Sequence, residues 1–165
     1  MYFYKRLHWL KINYSQKDLR VPFIDGSSIL KKIESRFIFQ KRLFDDPNKG
    51  RQYYNYWFSS MKNKTFITEF SSANIDSWIE KLENDTNYWL VLVFQESSKH
   101  DVFDCKPKAL RKLFYVSGCG RFYVVDKKYN WLVCFDIEGK EQKCTLYKSG
   151  NALTDFETNQ RVLVG

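Results

Sequence analysis

Histidine, proline and methionine are scarce in this chain, with two His, three Pro and two Met in 165 residues. The histidines, His8 and His100, lie 92 positions apart, so no local His cluster exists to hold a metal. With seven glycines, the chain holds no G-x-x-x-x-G-K-[ST] and no G-x-G-x-x-G, and H-E-x-x-H is also missing. Gly118-Cys119-Gly120 has no third glycine and reads as a turn, and no G-x-S-x-G elbow occurs. The four cysteines are spaced by 14, 15 and 10 positions without a C-x-x-C. They read as free thiols of a reducing cytoplasm, with Cys134 and Cys144 as small buried sheet residues. The longest apolar run, Tyr88–Phe94, has seven residues against the roughly 20 of a membrane span. Charge at Lys5-Arg6 interrupts the N-terminus before any signal-peptide core. These absences argue against nucleotide-loop, zincin, membrane-spanning and secreted disulfide classes. No cofactor and no metal is expected.

Charge and aromatic rings are abundant but unevenly placed. Residues 1–64 hold 14 Lys/Arg against 5 Asp/Glu, a net of +9, while residues 65–165 hold 13 against 14. The whole excess of +8 therefore lies in the first third, with 14 of the 30 aromatic residues. Such a segment ahead of a neutral body points to a binding surface more than to a catalytic pocket. Composition alone also explains part of this, because Lys outnumbers Arg 19 to 8 and Phe, Tyr, Asn and Ile are abundant together.

The organisation reads as one α+β domain over residues 1–165. It comprises a basic, aromatic-rich helical part (1–64), a body of order α-β-α-β-β-β (65–150) and a tail (151–165). Asp25-Gly26-Ser27-Ser28 can start a helix that carries Leu30, Ile33, Phe37 and Phe44 at near-helical spacing. Asp45–Gly50 ends it. Ile75, Trp78, Ile79 and Leu82 form the stripe of a second helix, capped by Ser72 or Asn74 and ended by Asn84–Asn87. Tyr88–Phe94 is apolar on both alternating faces and suits a central strand buried on both sides. Pro107 opens a third helix, with Ala109, Leu110, Leu113 and Phe114 inward. This helix is expected to cross from the central strand to an antiparallel meander of Arg121–Asp126, Trp131–Asp136 and Lys143–Tyr147. Trp131, Val133 and Phe135 share one face. The sheet is thus mostly antiparallel, with three helices packed on it.

Three constellations carry possible chemistry. Asp101, Asp104, Asp126, Asp136, Glu138 and Glu141 fall near strand ends or turns and could share one sheet edge. Paired carboxylates can serve acid–base chemistry or hold a metal, but an acidic rim facing a cationic partner fits the same residues. Lys31, Lys32, Arg36, Lys41 and Arg42 line the outer face of the first helix and could contact phosphates, with Tyr53, Tyr54 and Trp57 stacking on bases. His100 and Cys105 are a conceivable base–nucleophile pair, which nothing else in the sequence supports.

The segment Arg121-Phe122-Tyr123-Val124-Val125-Asp126-Lys127-Lys128-Tyr129-Asn130-Trp131-Leu132-Val133 resembles a stretch of small bacterial α+β proteins. These often read Tyr-Tyr-Ile-Val-Asp-Lys-Lys, two residues, then Trp-Leu. Some proteins of this kind are immunity proteins of polymorphic or contact-dependent toxin systems. The resemblance covers residues 88–136. Where the pattern has an Asn-His pair, this chain reads Phe135-Asp136-Ile137, so no functional residue is carried over. The resemblance implies an immunity protein that binds and sterically neutralises a cognate toxin; with the missing catalytic motifs, the cysteine pattern and the short apolar runs, the expectation is a non-enzymatic, cytoplasmic protein with no membrane role. The expected toxin-binding residues are Asp101, Asp104, Asp126, Tyr129, Trp131, Asp136 and Glu138. The alternative is a nucleic-acid-binding module using Lys31, Lys32, Arg36, Lys41, Arg42, Tyr53, Tyr54 and Trp57.

Overall fold

A strand whose side chains are apolar on both faces is stable only when both faces are covered, and this requirement organises the fold. The computed structural model describes residues 8, 13–15, 17–20, 26–39, 56–93 and 100–150. The strands are β1 (Leu19–Arg20), β2 (Thr65–Ser71), β3 (Tyr88–Val93), β4 (His100–Cys105), β5 (Arg121–Asp126), β6 (Leu132–Glu138) and β7 (Lys143–Ser149). They form one seven-stranded sheet of order β1-β4-β3-β5-β6-β7-β2, and every neighbouring pair is antiparallel. The helices are α1 (Gly26–Phe37), α2 (Ile75–Ile79, after a 3-10 turn at Ser72–Asn74) and α3 (Pro107–Ser117). Residues 56–59 add one further helical turn. The architecture is α+β.

Alternation along the strands divides the apolar side chains between two cores. Tyr88, Leu90, Leu92, Phe122, Val124, Val133, Phe135 and Leu146 face α2 and α3. Val91, Val93, Tyr123, Val125, Leu132 and Cys134 face Ile29, Ile33 and Phe37 of α1, with Trp57 and Met61. Phe122 stacks on Phe135 at 4.5 Å in the first core. Trp57 meets Tyr123 edge-on at 5.3 Å in the second.

The structure revises several elements. α1 ends at Phe37, because Ile38 leaves the helix to form an antiparallel bridge with Met61. Phe44, the loop 45–50 and the tail 151–165 lie outside the described residues. α2 stops at Ile79, short of Leu82, which is nonetheless buried. α3 leaves from β4 and not from β3; β4 and β5 flank β3, so the helix bridges them across it. His100 begins β4, and Trp131, expected to open its strand, lies just before β6. Trp131, Val133 and Phe135 do share the first core.

Two turns need left-handed backbone. Gly118 ends α3 with φ 67°, where glycine has no Cβ penalty. Gly150, after β7, has φ 115°, and a Cβ there would lie 2.4 Å from the Asn130 carbonyl oxygen and 3.1 Å from Trp131 Cα. Both contacts are backbone and cannot yield cheaply. Gly150→Ala should therefore cost about 2–6 kcal/mol, combining strain of about 1–3 with overpacking of about 1–3. Urea denaturation of the two proteins measures this.

Candidate functional site

The β5–β6 turn is built by one carboxylate. Asp126 Oδ1 accepts the N–H groups of Asn130 at 2.6 Å and Trp131 at 3.0 Å. Its carbonyl accepts the Tyr129 N–H at 3.0 Å. This closure holds Tyr129 at φ 56°, a region non-glycine residues seldom occupy. Lys127, Lys128 and Tyr129 are thereby presented beside α1. Arg36 Nε donates to the Tyr129 carbonyl at 3.2 Å, and Lys32 Nζ lies 5.2 Å from the centre of the Tyr129 ring. Residues 93 positions apart meet here.

The cations around this junction are held by carbonyls, rings and one buried carboxylate. Lys62 Nζ donates to the Ser35 carbonyl at 2.9 Å, at the negative end of α1. Lys64 Nζ donates to the Phe58 carbonyl at 3.3 Å and lies 4.0 Å from that ring's centre. Lys127 Nζ is 2.9 Å from Asp104 Oδ1 and 3.1 Å from the Trp89 ring centre. Residues 26–39, 56–64 and 126–130 together carry seven cations (Lys31, Lys32, Arg36, Lys62, Lys64, Lys127, Lys128) against the carboxylates of Glu34 and Asp126. Both carboxylates have internal donors: Glu34 Oε1 accepts from Trp57 Nε1 at 2.8 Å, and Asp126 is committed to its turn. The face covered by α1 is therefore cationic.

The anticipated acidic rim does not form as one edge. The register sets Asp126 and Asp136 at opposite ends of the sheet, five residue steps apart along β5, or about 17 Å. Asp101 sits on the row of Leu92 and Phe122, three steps along β4 from Asp104. Asp104 is 1% exposed and is satisfied by Lys127 and by Asn87 Nδ2 at 2.8 Å. Asp136 is 5% exposed and accepts from Arg121 Nε at 2.9 Å, with Phe58 capping the guanidinium at 4.3 Å. Trp131 is buried with its ring 5.8 Å from Tyr88, a core residue and not a contact residue. Glu138 and Glu141 are exposed in and beside the β6–β7 turn, Asp101 and Asp126 are half-buried, and Tyr129 joins the cationic face.

Of the residues assigned to nucleic acid, Lys31, Lys32 and Arg36 are exposed on α1. Trp57 is fully buried and packs against His100 at 4.5 Å, so it is no stacking platform. Lys41, Arg42, Tyr53 and Tyr54 lie outside the described residues. Sequence reasoning missed the contribution of Lys62, Lys64, Lys127 and Lys128. The two lysines in the hairpin turn were visible as turn residues, but their neighbourhood to α1 was not.

The remaining candidates do not assemble. His100 and Cys105 occupy the two ends of β4 an odd number of residues apart, so His100 faces Trp57 and Cys105 the opposite core. Burial pushes all four thiols up, Cys144 to about 12. Among the described residues no three His, Cys, Asp or Glu side chains converge for a metal, and no helix is long and apolar enough to cross a membrane. A surface cavity of about 480 Å³ lies between α2 and the start of α3. Its charges neutralise one another: Lys106 holds Asp18 at 2.9 Å, and Arg111 holds Asp76 at 2.8 Å and Glu80 at 3.7 Å. Compared with family models, curated proteins and solved structures, the chain gives no match.

Removing Asp136 strands a buried guanidinium, so Asp136→Ala should lose about 3–5 kcal/mol in a urea titration. Glu138→Lys, on the exposed end of the same strand, should stay within about 0.5 kcal/mol. The native protein should react slowly with Ellman's reagent at pH 8, and all four thiols should react in guanidinium.

Proposed function

We propose that this chain is a non-enzymatic binding protein whose cationic α1 face covers an acidic protein partner. It would act as an immunity protein does, blocking a cognate toxin sterically in the cytoplasm. The carrying observation is the set of seven cations gathered by α1, residues 62–64 and the β5–β6 turn against three carboxylates: Glu34 and Asp126, which accept internal hydrogen bonds, and the buried Asp104, which pairs with Lys127. The toxin as partner comes from the hairpin resemblance at Arg121–Val133. A standard interface covers about 800 Å² on each partner, enough to occlude an active site. Fixed charges of one sign accelerate encounter and reject like-charged competitors.

An acidic protein suits this face better than nucleic acid because most of its rings are already occupied and Phe39 alone among those of residues 26–39 and 56–58 is exposed. Tyr129 lies under Lys32, Phe58 under Lys64, and Trp57 is in the core. Stacking on unpaired bases needs open ring faces.

The double variant Lys32→Glu/Lys128→Glu should slow association with the toxin-like product of an adjacent gene by about 10–100-fold at low salt, with a smaller change in dissociation. Biolayer interferometry at several salt concentrations reads both rates. Unchanged association would sink the assignment. Tight, steeply salt-dependent binding of single-stranded DNA, with no protein partner, would replace it with the nucleic-acid reading.

A further inference from the structure

Within the cationic face, Arg36, Phe37, Lys62, Asn63, Ser149 and Gly150 line a cleft of about 160 Å³. We propose that this cleft is the anchor subsite of the interface and takes one carboxylate from the protein partner, an Asp or Glu side chain or a chain terminus. The inference rests on the acidic-partner reading and names the group that the face receives.

Three observations support it. The lining holds two cations and no carboxylate, so an entering anion meets complementary charge. Both cations are preorganised. Arg36 is tethered through Nε to the Tyr129 carbonyl at 3.2 Å, which leaves its terminal N–H groups for a fork-shaped acceptor. Lys62 gives one N–H to the Ser35 carbonyl at 2.9 Å and keeps two more donors. The walls are also fixed. The Lys62 N–H donates to the Phe37 carbonyl at 2.7 Å, the Ser149 hydroxyl donates to the Lys62 carbonyl, and Gly150 is seated against Asn130. A site whose donors need no rearrangement loses little entropy when filled. The volume is on the scale of one side chain, whereas drug-sized ligands need about 300–1,000 Å³.

The test titrates the full-length, ¹⁵N-labelled protein with the peptide acetyl-Glu-Glu-Asp-Glu-amide, and separately with its Gln/Asn counterpart, inorganic phosphate and an oligothymidine. The acidic peptide should shift the amides of Asn63 and Gly150 and the Arg36 Nε–H, saturating near millimolar, while the neutral peptide shifts none of them. Arg36→Gln and Lys62→Gln should each weaken binding at least fivefold with strand amides unmoved, Arg36→Lys should recover part of the loss, and Lys112→Gln, exposed on α3 away from this face, should change it less than twofold. Shifts confined to Lys31 and Lys128, insensitive to Arg36→Gln, would overturn the cleft while leaving the cationic face standing. No shift anywhere with the acidic peptide would overturn both. Phosphate or oligothymidine producing the same shifts more tightly than the peptide would overturn the carboxylate assignment.

Discussion

A sheet that is apolar on both sides must be covered on both sides, and no neighbouring piece of chain can do this alone. β3, β5 and β6 each place side chains in two separate cores. α3 joins β4 to β5, the two strands that flank β3, and covers one face with α2. The other face is left for α1 and residues 56–61, drawn from the first third of the chain. Among the described residues, Lys31, Lys32, Arg36, Lys62 and Lys64 lie on or beside the segments that cover this face, so covering it also makes its outer surface basic.

Buried polar groups act at the margins of the same sheet. Arg121–Asp136 closes one end beneath Phe58, and Asp104 with Lys127 and Asn87 closes the other. A one-residue slip of β5 against β6 would separate Arg121 from Asp136 and leave two charges unpaired in an apolar setting. Such pairs add little net stability over apolar replacements, but they penalise the wrong register heavily. They also explain why several acidic residues that look like surface chemistry in the sequence are structural.

The proposed binding surface follows from the meeting of two distant segments. The Asp126 turn sets Tyr129 in a left-handed conformation, and Arg36 and Lys32 close over it from α1. Cations that would otherwise wave freely in solvent are tied to carbonyls and rings. Tethered donors present a defined geometry, which favours recognition of a protein surface over a loose attraction for any polyanion. The proposed immunity role draws its direction from this face and its partner class from the hairpin resemblance.

Much of the scaffold was legible locally. The apolar run Tyr88–Val93, Pro107 at the start of α3, the Asp126 turn and the shared face of Trp131, Val133 and Phe135 all depend on short-range periodicity or turn chemistry. Less could be read where length or distance mattered: the Ile38–Met61 bridge that ends α1 is a long-range pairing, and no local signal marks it. The candidate site was harder still. Its residues were visible separately, Lys31, Lys32 and Arg36 on a helix face and Tyr129 on a sheet edge, but nothing in the sequence joined them. Short-range sterics and side-chain alternation determined which residues form strands and which way they face. Only tertiary structure decided which charges were buried against each other and which were gathered outside, because that depends on strand register and on which distant helix covers each face.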